Sequence, residues 1–175
     1  MNLTDPRLLL GIAVALIFLY MLGEALLSRR NERLLRAGGA VEPPDDVWRV
    51  MAIAYPSAFL AMAAESALRG GPALRFYLAG FIVWHLAKLL KVWAIGSLGP
   101  RWSFRVLVLP GEPLVAAGPY RWMRHPNYVA VTGELVGAGI MMAAPVTGTV
   151  FTLLFVEIMR RRVKVEERAL GIRRT

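Results

Sequence analysis

The chain contains no cysteine, so disulfide bridges and thiolate metal centres are excluded. Its two histidines, His85 and His125, are too few for a histidine-only metal site, and no metal is expected. No phosphate loop, dinucleotide fingerprint or serine-nucleophile motif is present, and the Gly96 to Pro100 stretch does not match GxGxxG. Neither an internal repeat nor a low-complexity tract breaks the chain, which reads as a single domain over 1–175. What the sequence has instead is apolar length. Of 175 residues, 57% are hydrophobic, mean hydropathy is +0.50, and the charged residues cluster rather than scatter. The net charge of +9 fits membrane topology and anionic lipid; no nucleic-acid partner is expected.

The first apolar run, 8–27, has about the 20 residues that cross a roughly 30 Å hydrocarbon core. No secretory signal peptide is expected, because the run is long for one and at its end stand Glu24 and Ser28-Arg29-Arg30 in place of a small-residue cleavage pattern. Glu24 near its end is expected to reach the interface. The polar stretch 28–46 carries Gly38-Gly39 and Pro43-Pro44, which mark a loop. Further spans are expected at 47–68, 72–95, 129–143 and 146–165. Pro56 would kink the second, and the last two form a helical hairpin whose second arm continues into the charged tail. A less apolar connection, 96–128, joins the third span to the hairpin.

Lysine and arginine placement sets the orientation. Arg29, Arg30, Arg33, Arg36 and Arg49 follow the first span, and Arg101, Arg105, Arg121 and Arg124 follow the third. The tail carries Arg160, Arg161, Arg162, Lys164, Arg168, Arg173 and Arg174. Only Arg7, Arg69 and Arg75 fall on the other side. The expected fold is therefore an all-α integral membrane protein of about five transmembrane helices. Its N-terminus lies outside, and its C-terminus and a pocket for a cofactor lie on the cytoplasmic side, in a bacterial inner membrane.

Three polar clusters could carry chemistry. The run Gly118 to Tyr128, GPYRWMRHPNY, gathers arginines, a histidine and aromatic residues in a segment that its prolines keep out of regular helix. An interfacial aromatic belt would use the same residue types. Arg162 and Glu166 stand four apart, so they share a helix face and could pair. His85, Lys88 and Lys91 recur at steps of three in the third span, where lysine is either functional or snorkelling to the interface.

The run Leu114 to Tyr120, the RHPNY sequence at Arg124 to Tyr128, and Glu166-Glu167 some forty residues later together resemble the isoprenylcysteine carboxyl methyltransferase and phospholipid methyltransferase superfamily. The resemblance covers roughly residues 81–170. Ser28 to Arg33 with Trp93 to Trp102 looks most like a small bacterial branch, some members of which methylate hydroxyls of lipid-tailed phenols and pyrones. The resemblance implies an S-adenosylmethionine pocket built from Gly118, Tyr120, Arg124, His125, Pro126, Tyr128 and Glu167. It implies substrate-side roles for Arg162 and Glu166, and for Lys91, which stands eight positions before Gly99 where the family usually has arginine. Lysine keeps the charge but not the planar fork that grips a carboxylate. Ala130 also replaces the usual glycine after RHPxYx. The implied activity is methyl transfer to a lipophilic or prenylated acceptor among membrane lipids, most simply O-methylation. Phospholipid N-methylation, an NADPH-dependent reductase of the sterol type and a non-enzymatic membrane scaffold are the alternatives.

Overall fold

The computed structural model describes residues 4–171. Arg173 and Arg174, counted in the basic tail, lie outside them. Five helices follow in order: α1 (Pro6–Ala37), α2 (Trp48–Leu68), α3 (Leu74–Leu98), α4 (Pro126–Met141) and α5 (Pro145–Ala169). Among the described residues there is no strand, only one isolated antiparallel bridge between Val41 and Val108. Three of these helices begin with proline at the first turn, where the missing N–H costs no helical bond and φ is already set.

Among the described residues, three segments are long and apolar enough to cross a membrane: Pro6–Ala37, Trp48–Leu68 and Leu74–Arg101, the last including the 3-10 turn after α3. α1 differs from the expectation at its end, running ten residues past the apolar stretch to Ala37. Ser28 to Ala37 keeps a helical pattern, in which Ser28, Asn31 and Leu35 are buried and the arginines between them face out. The loop is confined to the Gly38-Gly39 and Pro43-Pro44 stretch. α2 tolerates Pro56 within its length.

α3 and α4 lie closest. A Cβ added at Gly137 would sit 2.5 Å from the Trp84 backbone nitrogen, and one at Gly80 would strike the Met141 backbone. Glycine at both positions lets the two backbones approach, as small residues do in membrane bundles. The apolar core runs through Ile17, Phe59, Met62, Trp84, Leu135, Met141 and Phe155, drawing on every helix. Many large apolar side chains point outward, Leu19, Leu60, Leu86 and Leu153 among them, which is the pattern of helices solvated by lipid. Glu65 at the end of α2 accepts hydrogen bonds from the backbone N–H of Val146 (3.2 Å) and Thr147 (2.7 Å), capping the start of α5.

The connection from α3 to α4 is tied down by α1. The Asn31 amide donates to the carbonyls of Gly99 (3.2 Å) and Trp102 (2.9 Å). Ser28 Oγ accepts from the Phe104 N–H at 2.8 Å and donates to Glu32. Arg105 lies over the Trp48 ring, 3.9 Å from its centroid, and pairs with Glu42 and Glu32. These bonds fold residues 102–108 across the end of the bundle where α1 overhangs.

Candidate active site

Tyr128, in the first turn of α4, is the hub of the site. Its hydroxyl donates to Glu166 at 2.7 Å and accepts from Arg162 Nε at 2.9 Å. Arg162 and Glu166, expected to pair along α5, are thus joined through that hydroxyl. Arg162 also binds the Asp46 carboxylate at 2.7 Å and the Phe104 carbonyl at 2.5 Å. The guanidinium fork is occupied on several sides, because its side chain and that of Asp46 are only 7% and 3% exposed and a buried ion must be matched. Asp46 in turn accepts from the N–H groups of Val106 (2.8 Å) and Trp48 (3.1 Å).

His125 stands immediately before α4 and lies 3.3 Å from Glu167 and 3.8 Å from Glu166. Its ring is 5.6 Å from that of Tyr128. Gly118 has a positive φ of 56°, and a Cβ there would collide with Ser97 and approach Trp93, so the Gly118 to Arg121 turn can press onto the end of α3. The Tyr120 hydroxyl is pushed up from its ordinary acidity by burial and by the Glu166 carboxylate. It is therefore neutral at any physiological pH.

A cavity of about 640 Å³ opens beside this cluster, within the size range of small-molecule sites. Of the residues implied by the family resemblance, Lys91, Tyr120, Arg124, His125, Tyr128, Arg162 and Glu166 line it. Gly118, Pro126 and Glu167 lie behind that lining and act on it through backbone shape or through His125. Asn127 also lines it, and its Oδ1 is buried without a hydrogen-bond partner.

The deep end of the cavity corrects one expectation. Glu24 does not sit at an interface. It is buried and binds Lys88 at 2.5 Å and Lys91 at 2.7 Å. Glu134 of α4 binds the same two ammonium groups at 3.1 and 3.3 Å, and the Tyr55 hydroxyl donates to Glu134. Neither lysine snorkels, since each finds two carboxylates inside the bundle. His85, of the same sequence stripe, turns away to the rings of Phe81 and Trp84.

Sequence reasoning missed Asp46, Tyr55 and the partnership of Glu24 with Glu134. Asp46 and Tyr55 carried no signal, being one loop acid and one aromatic in an apolar helix. Glu24 and Glu134 did carry one. Two acids and two lysines in otherwise apolar spans must find each other, because lipid offers no other partner.

An all-helical bundle with three helices of membrane-crossing length and a His, Arg, Glu and Tyr cluster beside a cavity has the form of an integral membrane protein with a buried polar site. Comparison with known proteins specifies which. The family model for "Isoprenylcysteine carboxyl methyltransferase (ICMT) family" matches residues 79–172, and the chain belongs to that family. It is 29% identical over 157 residues to the uncharacterized protein YpbQ of Bacillus subtilis, covering 90% of this chain and 94% of that one. An uncharacterized protein of Haemophilus influenzae is 24% identical over 83% of this chain and 85% of its own. The mouse protein-S-isoprenylcysteine O-methyltransferase is 37% identical over 57 residues, 33% of this chain and 20% of the mouse protein. No solved structure matches the chain.

Proposed function

We propose that this chain is a single-domain, S-adenosylmethionine-dependent methyltransferase that O-methylates a lipophilic acceptor at the membrane. The observation that carries this is the convergence of His125, Tyr128, Arg162 and Glu166 on one cavity, within the stretch the family model matches. Family membership supports methyl transfer of the isoprenylcysteine type; the donor and the class of acceptor are our reading.

The cavity fits that donor. Carboxylate and aromatic faces attract a cationic sulfonium, and Glu166, Tyr120 and Tyr128 supply them. The unpartnered Asn127 Oδ1 suits an amine or hydroxyl donor. Exposed Arg124 at the cavity wall suits a carboxylate. When bound, S-adenosylmethionine supplies an electrophilic methyl group that an acceptor lone pair displaces in line. His125 and Tyr120 shape its pocket, with Gly118 and Pro126 setting the backbone and Glu167 holding the His125 ring. Glu166 is kept in place by the Tyr128 hydroxyl, and Arg162 fixes that hydroxyl together with the 102–108 strap and Asp46. Most of the acceleration would come from such alignment, since the reaction needs neither a metal nor a covalent enzyme intermediate.

For topology we infer five spans, with α4 and α5 completing the three longer apolar helices. The N-terminus would face outward, and the cavity would open to the cytoplasm at a bacterial inner membrane. The arginines of α1's overhang, the 101–124 connection and α5 support that orientation.

The test is calorimetric titration of the detergent-purified chain with S-adenosylhomocysteine, beside a His125→Ala, Glu166→Gln variant. Micromolar binding that the variant loses is expected. Absence of binding, or binding of NADPH in its place, would overturn the reading. A prenylcysteine, an alkylresorcinol and phosphatidylethanolamine, offered with radiolabelled donor, then sort the acceptor.

A further inference from the structure

The deep end of the cavity holds more charge than packing needs. Glu24 (9% exposed), Lys88 (4%), Lys91 (2%) and Glu134 (1%) form a closed square in which each ammonium bridges both carboxylates. The rings of Tyr20 and Trp84 lie about 5.5 Å from the Lys88 ammonium, and that of Tyr55 lies 5.4 Å from Lys91. Burying an ion costs several kcal/mol even after relaxation, and the α3–α4 seam is already closed by glycine without charges. Ionisable groups kept inside a membrane bundle are generally there for a reaction or a pathway. One side of the square, Glu24 and Lys91, faces the cavity with Tyr55 beside it, while Lys88 and Glu134 lie behind.

The square's charges decide what it can receive. Two ammonium groups and two carboxylates sum to zero, and Arg162 is matched by Asp46. An acceptor that arrives as a carboxylate would meet no buried cation to spare. A hydroxyl arrives neutral and still has a proton to lose.

We propose that Glu24 is the base that takes this proton, and that its neutralisation releases Lys91 to face the oxyanion. This rests on the methyltransferase reading above. As Glu24 accepts the proton, the acceptor's O–H bond breaks and its electron pair stays on oxygen. Lys91, no longer matched by Glu24, turns its charge to that oxygen. The oxygen lone pair forms the new O–C bond while the C–S bond of the sulfonium donor breaks, its electrons returning to sulfur as a neutral thioether. The proton stays on Glu24 until water in the cavity carries it away. Base and oxyanion stabiliser are then one device, switched by a single proton. Glu24 lies outside residues 79–172, so the matched stretch by itself does not contain this base.

The experiment uses the full chain in detergent with saturating donor and two lipid-tailed phenols of equal chain length. One is unsubstituted; the other carries a nitro group and is already ionised at the assay pH. Wild type is expected to methylate the unsubstituted phenol readily and the nitrophenol more slowly, because the nitrophenol, like a carboxylate, arrives as an anion while Lys91 is still matched by Glu24. Glu24→Gln is expected to lower kcat for the unsubstituted phenol by about 100-fold or more, and for the nitrophenol by no more than a few-fold. Because Glu24→Gln leaves an unmatched ammonium that could spoil folding, Glu24→Gln with Lys88→Met restores the charge balance and should show the same split. Glu24→Asp, which keeps the base one methylene short, should recover part of the loss. Equal losses on the two phenols in the double variant would mark a structural role and overturn the proposal, as would no loss on either. Wild type that binds S-adenosylhomocysteine yet methylates neither phenol would also overturn it, leaving the methyltransferase reading intact. Only failure to bind S-adenosylhomocysteine would remove both.

Discussion

The Arg162–Asp46 pair offers the sharpest test of how the site is built. The two groups meet at 2.7 Å with side chains 7% and 3% exposed, so solvent screens them little. Removing one member of a buried pair strands the other charge and costs about 3–5 kcal/mol, whereas replacing both is often close to neutral. Here the joint replacement keeps some cost, because Arg162 also binds the Tyr128 hydroxyl and the Phe104 carbonyl. Asp46→Asn removes the charge but keeps one acceptor oxygen where the carboxylate has two, so it holds only one of the Val106 and Trp48 N–H groups, which donate to different oxygens of Asp46. Asp46→Asn and Arg162→Met should each destabilise by about 3–5 kcal/mol, and the double variant should fall short of their sum by about 2 kcal/mol or more. Unfolding by SDS titration in mixed micelles reads all four proteins. Additivity within about 0.5 kcal/mol would refute the reasoning, since it would mean that the guanidinium and carboxylate do not sense each other.

Two further outcomes follow from other parts of the chain. Burial raises the Glu42 carboxyl, but hydrogen bonds from Arg36 and Arg105 outweigh it and hold the group below its ordinary range. Glu42 therefore stabilises the fold fully above its unfolded pKa, and that contribution is lost as pH falls through the lower folded value. Glu42→Gln should be less stable than wild type at neutral pH and should converge with it in acid. A gap in unfolding midpoint that persists at the lowest pH would contradict this. Gly137→Ala places a methyl 2.5 Å from the Trp84 backbone nitrogen, and should cost about 1–3 kcal/mol through overpacking; an unchanged midpoint in the same titration would mean that α3 and α4 can separate freely.

Much of this was legible in the sequence, for identifiable reasons. Apolar length located the long helices, because lipid leaves the backbone few choices. Proline and glycine located the breaks at Gly38-Gly39, Pro126 and Pro145. The motif at Arg124 to Tyr128 with Glu166-Glu167 named a candidate site, and the structure brings those separated stretches together around Tyr128 and His125. The missing parts all depend on which helix faces which. Helical spacing puts Arg162 and Glu166 on one face, but it cannot show that a tyrosine from α4 enters between them. Glu24 was given an interfacial place because position along a helix was visible and its partners on α3 were not. Asp46 was one acid in a loop until residues 102–108 folded over it.

The overhang of α1 makes that helix a single rod through two environments. Its buried stretch presents Glu24 to the square, and three and a half turns of the same helix beyond it reach Ala37, with Ser28 and Asn31 gripping the strap on the way. Each helical residue turns the rod by about 100° and advances it by about 1.5 Å. One residue inserted between Glu24 and Ser28 would therefore leave either the carboxylate or the strap's anchor facing the wrong way. Phase along α1, which no pairwise contact displays, is what keeps the floor of the cavity and its cover in register.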